Sequence, residues 1–208
     1  MKDQYILTSA AEGELVCQNS RFLARLVPIS CAEEALSEVE RLRKLHFKAR
    51  HVVFAYVLES GNVRSSDDGE PCGTAGQPIL KLLESRGLCF VLGVVVRYFC
   101  GTLLGTGGLT RAYSCAVAHA LAHAEINRVF PCIVYRITLP YSLYQTFLFQ
   151  LEIHRGKLIS SDFCESVIVE AAVRKDFCKD FEKNLLENTT MGLEIEKICE
   201  KTDIFPEK

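Results

Sequence analysis

With 208 residues, 49% of them hydrophobic and 24% charged, the chain has room for one large or two small globular domains with real cores. A formal net charge of −2 excludes a generally basic nucleic-acid binder. No apolar run reaches the roughly 18 residues of a spanning helix.

The opening residues lack the charged-then-apolar pattern of a secretory signal, so a cytoplasmic protein without membrane contact is expected. The ten cysteines form no Cys-x-x-Cys pair, which removes zinc-ribbon and thioredoxin-like readings. Most are expected to be buried small hydrophobes, Cys89 among them.

Taken in chain order, alternating runs at Tyr5–Ala10, Glu14–Val16 and Arg21–Ile29 predict an antiparallel meander, with Gly13 at its first turn. Ser30-Cys-Ala-Glu33 reads as a capping box opening a helix that buries Cys31, Ala35, Val39 and Leu42. The cations at that helix's end, Arg41, Arg43, Lys44 and His46, complement the helix dipole, a reading preferred to a nucleic-acid patch. Strands follow at His51–Leu58 and Val63–Arg64 around the turn Ser60-Gly-Asn, then a short helix from Gln77-Pro78 that Gly87 stops. Leu88–Val96 is a buried central strand, and an alanine-rich helix, Leu109–Ala124, has side chains small enough to lie close against a sheet.

Asn127–Pro131 is the expected boundary between domains at 1–130 and 131–208. Beyond it come a strand (Ile133–Leu139), a helix (Leu143–His154) with a Ser142-x-x-Gln145 cap, strands at Lys157–Ser160 and Cys164–Val173, a helix (Phe177–Leu186) and a strand (Leu193–Cys199). That β-α-β-β-α-β order predicts a ferredoxin-like domain, and nothing catalytic is visible in it.

Candidate function concentrates in two stretches, Arg64-Ser-Ser-Asp-Asp-Gly-Glu-Pro-Cys-Gly-Thr-Ala-Gly76 and Arg97-Tyr-Phe-Cys-Gly-Thr-Leu-Leu-Gly-Thr-Gly-Gly-Leu-Thr-Arg-Ala-Tyr113. Nine of the thirteen glycines fall between Gly69 and Gly108. Glycine packed so tightly lets backbone N–H groups approach a ligand. From Ser85 to Ala124 there is no acidic residue, while Arg86, Arg97 and Arg111 lie there. A local positive patch for phosphate or an acidic partner, and a structural network in which arginines pair with Asp67, Asp68 and Glu70, are both open readings.

These two stretches resemble the signature of the IMPACT/YigZ family. The resemblance rests on Ser66–Pro71, Gly73–Gly76, Arg97–Phe99, Gly101, Leu104, Gly105, Gly107–Leu109 and Arg111–Tyr113, with weaker echoes at Asn19–Phe22 and around His51. Cys72, Cys100 and Leu103 depart from it, standing where the family has serine, glycine and lysine, as do Val52 and Val53. The resemblance implies an α+β fold. Its first domain would be similar to the β-α-β fold of a small-subunit ribosomal protein and of domain IV of elongation factor G, and its second would be ferredoxin-like. It also implies a module working near RNA, ribosomes or translation-associated proteins.

Gly105-Thr-Gly-Gly108 ahead of a helix suits an anion, but no Gly-Lys-Ser/Thr makes it a Walker loop and Thr110 breaks a dinucleotide fingerprint. Asp67, Asp68 and Glu70 could hold a cation or act as a base, although Asp-Asp-Gly-Glu is also ordinary turn composition. Cys115, His119 and His123 share a helix face without the glutamate of a zincin, and a Cys72 or Cys100 nucleophile paired with His51 is conceivable.

The expected ligand surface is therefore Arg64, Asp67, Asp68, Glu70, Gly73, Thr74, Arg97, Tyr98, Gly105, Gly107, Gly108 and Arg111, with no catalytic residue, metal or cofactor. The leading reading is a regulator that binds RNA, the ribosome or a translation-linked protein. The alternatives are a hydrolase or phosphotransferase using the acidic turn and glycine loop, and a pure protein adaptor.

Overall fold

A computed structural model describes residues 3–58, 61–187 and 192–205, so Ser60 of the expected turn lies outside the described residues. The protein is α+β and divides into two compact units, residues 1–127 and 128–208. Among the described residues no helix is long and apolar enough to cross a membrane.

The first unit contains, in order, β1 (Gln4–Leu7), β2 (Ala11–Cys17), β3 (Ser20–Pro28), α1 (Ala32–Leu45), β4 (His51–Val57), β5 (Val63–Ser66), α2 (Gly76–Ser85), β6 (Val91–Tyr98) and α3 (Gly105–Ala122). Five of these strands form one antiparallel sheet in the order β2-β3-β6-β4-β5. Strand β6 lies at its centre and is buried on both faces, which explains the continuous apolar run Val91–Val96.

On one face α1 packs Ala35, Val39 and Leu42 against Val52, Phe54 and Tyr56 of β4 and Leu92, Val94 and Val96 of β6. The opposite face is covered by α2 and α3, whose Ile79, Leu83, Ala112, Tyr113, Ala116, Val117 and Ala120 are all buried. The α1 capping box forms differently from its sequence pattern: the Ser30 N–H donates to the Glu34 carboxylate at 2.6 Å, and Cys31 is exposed.

Gly13 is not a turn residue. It sits inside β2, and the β2–β3 turn is made by Gln18 and Asn19, both at positive φ (44° and 66°). A Cβ added at Gly13 would lie 2.3 Å from the Ala120 nitrogen of α3, so glycine on the strand meets alanine on the helix in a near backbone-to-backbone contact. Strand β1 stands outside the β2–β3 ladder and is held by the Tyr5 N–H, which donates to the Gly87 carbonyl (2.9 Å), and by the Tyr5 carbonyl, which accepts from the Cys89 N–H (2.9 Å).

The second unit holds β7 (Ile126–Leu139), α4 (Tyr144–Ile153), β8 (Lys157–Phe163), β9 (Val167–Arg174), α5 (Cys178–Glu187) and β10 (Glu194–Asp203). The order β10-β7-β9-β8, antiparallel throughout, is that of a ferredoxin-like βαββαβ unit. The division between the units falls at Asn127/Arg128, within the expected boundary Asn127–Pro131, and the chain passes through it as extended strand, since β7 begins at Ile126. Phe147 and Leu151 of α4 and Phe181 and Leu185 of α5 share one core with Tyr135, Ile137 and Leu139 of β7 and Val169 and Ala171 of β9. No side-chain cap from Ser142 forms.

The cysteines depart from expectation. Cys89, Cys132 and Cys178 are buried, but Cys31, Cys72, Cys100, Cys115, Cys164 and Cys199 are exposed, because they occupy loops, outer helix faces and edge strands.

Substituting Gly13→Ala is expected to push α3 from the sheet and cost about 1–3 kcal/mol, the usual range for overpacking. Urea denaturation measures it, and a variant as stable as the parent contradicts the close-contact account.

Candidate functional site

The register of the sheet sets the site. Arg97 on β6 pairs with Phe22 on β3 and with His51 on β4, so the three side chains form one row on the face under α2 and α3. From the first signature stretch, Glu70 reaches this row. Its Oε1 accepts hydrogen bonds from Arg97 Nη1 at 2.6 Å and from the Tyr113 hydroxyl at 2.6 Å, and His51 Nε2 is 3.8 Å away.

The Glu70 and Arg97 side chains are only 3% and 5% exposed. Two charges removed so completely from water are tolerable only when paired and hydrogen-bonded. The guanidinium also lies 5.4 Å from the Phe22 ring and 5.3 Å from the Phe99 ring, and its buried Nε has no hydrogen-bond partner among the described residues. Burial, with the bond to Glu70 added, drives the Tyr113 phenol far above the usual tyrosine value.

The two aspartates shape the turn. Asp67 Oδ1 accepts the N–H groups of Ala75 (3.0 Å) and Gly76 (2.8 Å), and Oδ2 that of Gly73 (2.8 Å). It thereby caps α2 from outside the helix, placing a carboxylate at the positive end of the dipole. Asp68 has φ 45°, a conformation aspartate tolerates. Its carboxylate accepts from Val52 N–H (2.7 Å) and Arg43 (2.9 Å), and its carbonyl accepts from His51 Nδ1 (2.7 Å). Thr74 closes the turn through a 2.6 Å bond to the Pro71 carbonyl.

The structure thus brings the two signature stretches together, but through a buried contact. Arg97 belongs to the network and is not a surface cation. Tyr98, one residue on, points to the opposite face of the sheet, where its hydroxyl bonds His46 Nδ1 at 2.8 Å; alternation along a strand separates it from Arg97. Arg64 on β5 and Arg111 on α3 are exposed. Gly105, Gly107 and Gly108 form the first turn of α3, so the glycine run is helix instead of a preceding loop.

His51, Tyr113, Arg43 and Ser20, whose hydroxyl accepts from Arg97 Nη2 at 3.5 Å, complete the network, although none belongs to the surface expected from sequence. The signature's closing Arg-Ala-Tyr points to Tyr113, and nothing local in the sequence pairs Arg43 with Asp68. On α3, His119 Nδ1 bonds the Glu14 carbonyl (2.8 Å) and His123 Nδ1 bonds the His119 carbonyl (2.9 Å). Among the described residues no cluster of three metal-ligating side chains exists.

Residues 18–121 match the family model for the Impact N-terminal domain. The chain is 35% identical over 182 residues to the IMPACT family member YigZ of Escherichia coli, covering 86% of this chain and 89% of that one. It is 41% identical over 124 residues to the IMPACT family member YvyE of Bacillus subtilis, a match spanning 59% of this chain and 57% of that protein. A crystal structure of a hypothetical protein superposes with a TM-score of 0.64 at 33% identity, covering 95% and 98% of the two chains.

Removing the carboxylate with Glu70→Ala is expected to strand Arg97 in the interior and cost about 3–5 kcal/mol in urea unfolding. Because the Tyr113 phenol is raised above its unfolded value, its contribution is complete below about pH 10 and is lost as pH rises further. Tyr113→Phe should therefore flatten the alkaline fall of unfolding free energy, and an unchanged slope would contradict the assignment.

Proposed function

The chain belongs to the IMPACT family, and on that footing we propose that it is a translation-associated regulator that acts by binding RNA, free or on the ribosome, and not by catalysis. The observation that carries this reading is a division between the two signature stretches. All three carboxylates of the acidic turn are engaged by backbone amides, arginines or Tyr113, which leaves none poised as a base or cation ligand.

The start of α3, by contrast, faces solvent with no side-chain cap and no acidic residue in its first turn. Its exposed amides suit a phosphate. Gly107 has nothing within 4 Å of where a Cβ would be, so packing does not require glycine there. Glycine inside a helix costs about 1 kcal/mol relative to alanine, and close approach by a ligand backbone accounts for it. Arg111 and Arg64, exposed and without a side-chain partner among the described residues, supply cations.

Leu103 favours a second reading, the protein adaptor. It is 85% exposed in the segment between β6 and α3. Capture of a partner that survives nuclease and high salt would select that alternative.

For RNA, counterion release predicts that affinity falls steeply with salt. The Arg64→Ala/Arg111→Ala double variant should bind more weakly on every sequence. Its plot of log affinity against log salt should be shallower by about 0.7 for each phosphate it no longer neutralises. Fluorescence anisotropy across a salt series measures this. A salt-independent curve, or a double variant binding like the parent, overturns the surface.

A further inference from the structure

Residues 41–58 contain five arginines and lysines, Arg41, Arg43, Lys44, Lys48 and Arg50, and no acidic residue. Two of these cations are held internally, Arg41 by Glu38 at 2.6 Å and Arg43 by Asp68 at 2.9 Å. Lys44, Lys48 and Arg50 are exposed, and their side chains have no ion-pair partner among the described residues.

Among these cations stands Phe47, 76% exposed, with Leu45 61% exposed beside it. The turn that presents Phe47 is fixed. His46 N–H donates to the Leu42 carbonyl (2.8 Å), Ala49 N–H to the His46 carbonyl (2.7 Å) and Arg50 N–H to the Arg97 carbonyl (2.9 Å). The His46 ring is tied to Tyr98, and the Lys48 ammonium lies 5.6 Å from the Phe47 ring centroid.

We propose that this knob at the end of α1 is a contact for single-stranded RNA, with Phe47 stacking on an unpaired base and Lys44, Lys48 and Arg50 neutralising the flanking phosphates. The proposal rests on the RNA-binding reading and deepens it by naming strand state and anchor. An aromatic ring interleaved with unpaired cations is the chemistry of single-strand binding, in which the ring takes any base and the cations track the backbone. A duplex keeps its bases stacked on one another and offers the ring nothing.

An anionic membrane fits less well. Of the other apolar residues of α1, Ala35, Val39 and Leu42 are buried in the core and Ala32 and Leu36 pack against it, so no continuous apolar face remains to lie in a bilayer.

The test is fluorescence anisotropy with a uridine oligonucleotide of about twelve nucleotides and an RNA duplex of matching length. Phe47→Ala should lose about tenfold in affinity for the single strand and nothing for the duplex, while Phe47→Trp keeps single-strand binding. Lys44→Ala/Lys48→Ala/Arg50→Ala should weaken both and flatten the salt dependence. All these side chains are exposed, so each variant should fold like the parent, and a thermal melt of each serves as the control.

Phe47→Ala binding the single strand as the parent does, while Arg64→Ala/Arg111→Ala binds less, overturns the knob and keeps the wider reading. A parent that binds neither RNA overturns both. Binding to phosphatidylserine vesicles that Phe47→Ala abolishes, with RNA ignored, replaces the proposal by a membrane contact.

Discussion

A single buried carboxylate organises the first unit. Glu70 comes from a surface turn, yet its side chain ends under α3, between an arginine of the central strand and a tyrosine of that helix. Withdrawn from water, the arginine needs the carboxylate and the carboxylate needs both donors. The turn, β6 and α3 are therefore fixed to one another by groups that cannot separate without leaving a charge unpaired in the interior. The glycine-rich helix start and the acidic turn acquire defined positions from a contact that no ligand can reach.

This arrangement separates two roles that look alike in sequence. Arg97 and Arg111 stand in the same signature, both in the stretch free of acidic residues, but one is structural and the other faces solvent. Likewise Asp67, Asp68 and Glu70 read as a candidate cation site, and each proves to serve the chain itself. Asp67 caps the start of α2, Asp68 ties β4 to α1, and Glu70 neutralises the core arginine.

Element type is legible in the helices α1, α3, α4 and α5, which bury apolar residues on one face, and in β4 and β6, whose continuous apolar runs are buried on both faces. Strands β8 and β10, exposed along nearly their whole length, offer no such burial. Less legible is anything set by contacts distant in sequence. Gly13 reads as a turn residue, since glycine usually punctuates, and only Ala120, more than a hundred residues on, explains it. Tyr98 goes with Arg97 by adjacency in the signature, although strand alternation puts them on opposite faces. Phe47 carries no signal of its own, because the cations around it also suit a helix C-terminus and exposure is a property of the fold. The cysteines mislead for a similar reason: compartment chemistry says nothing about which face of a helix a thiol occupies.

The cap that Asp67 supplies to α2 has a thermodynamic consequence for whatever lands on the acidic turn. Three amides converging on one carboxylate hold the loop in shape from within. Docking there carries little penalty for ordering backbone, so association should resemble rigid-body fitting, with a small entropic cost and a rate set by orientation.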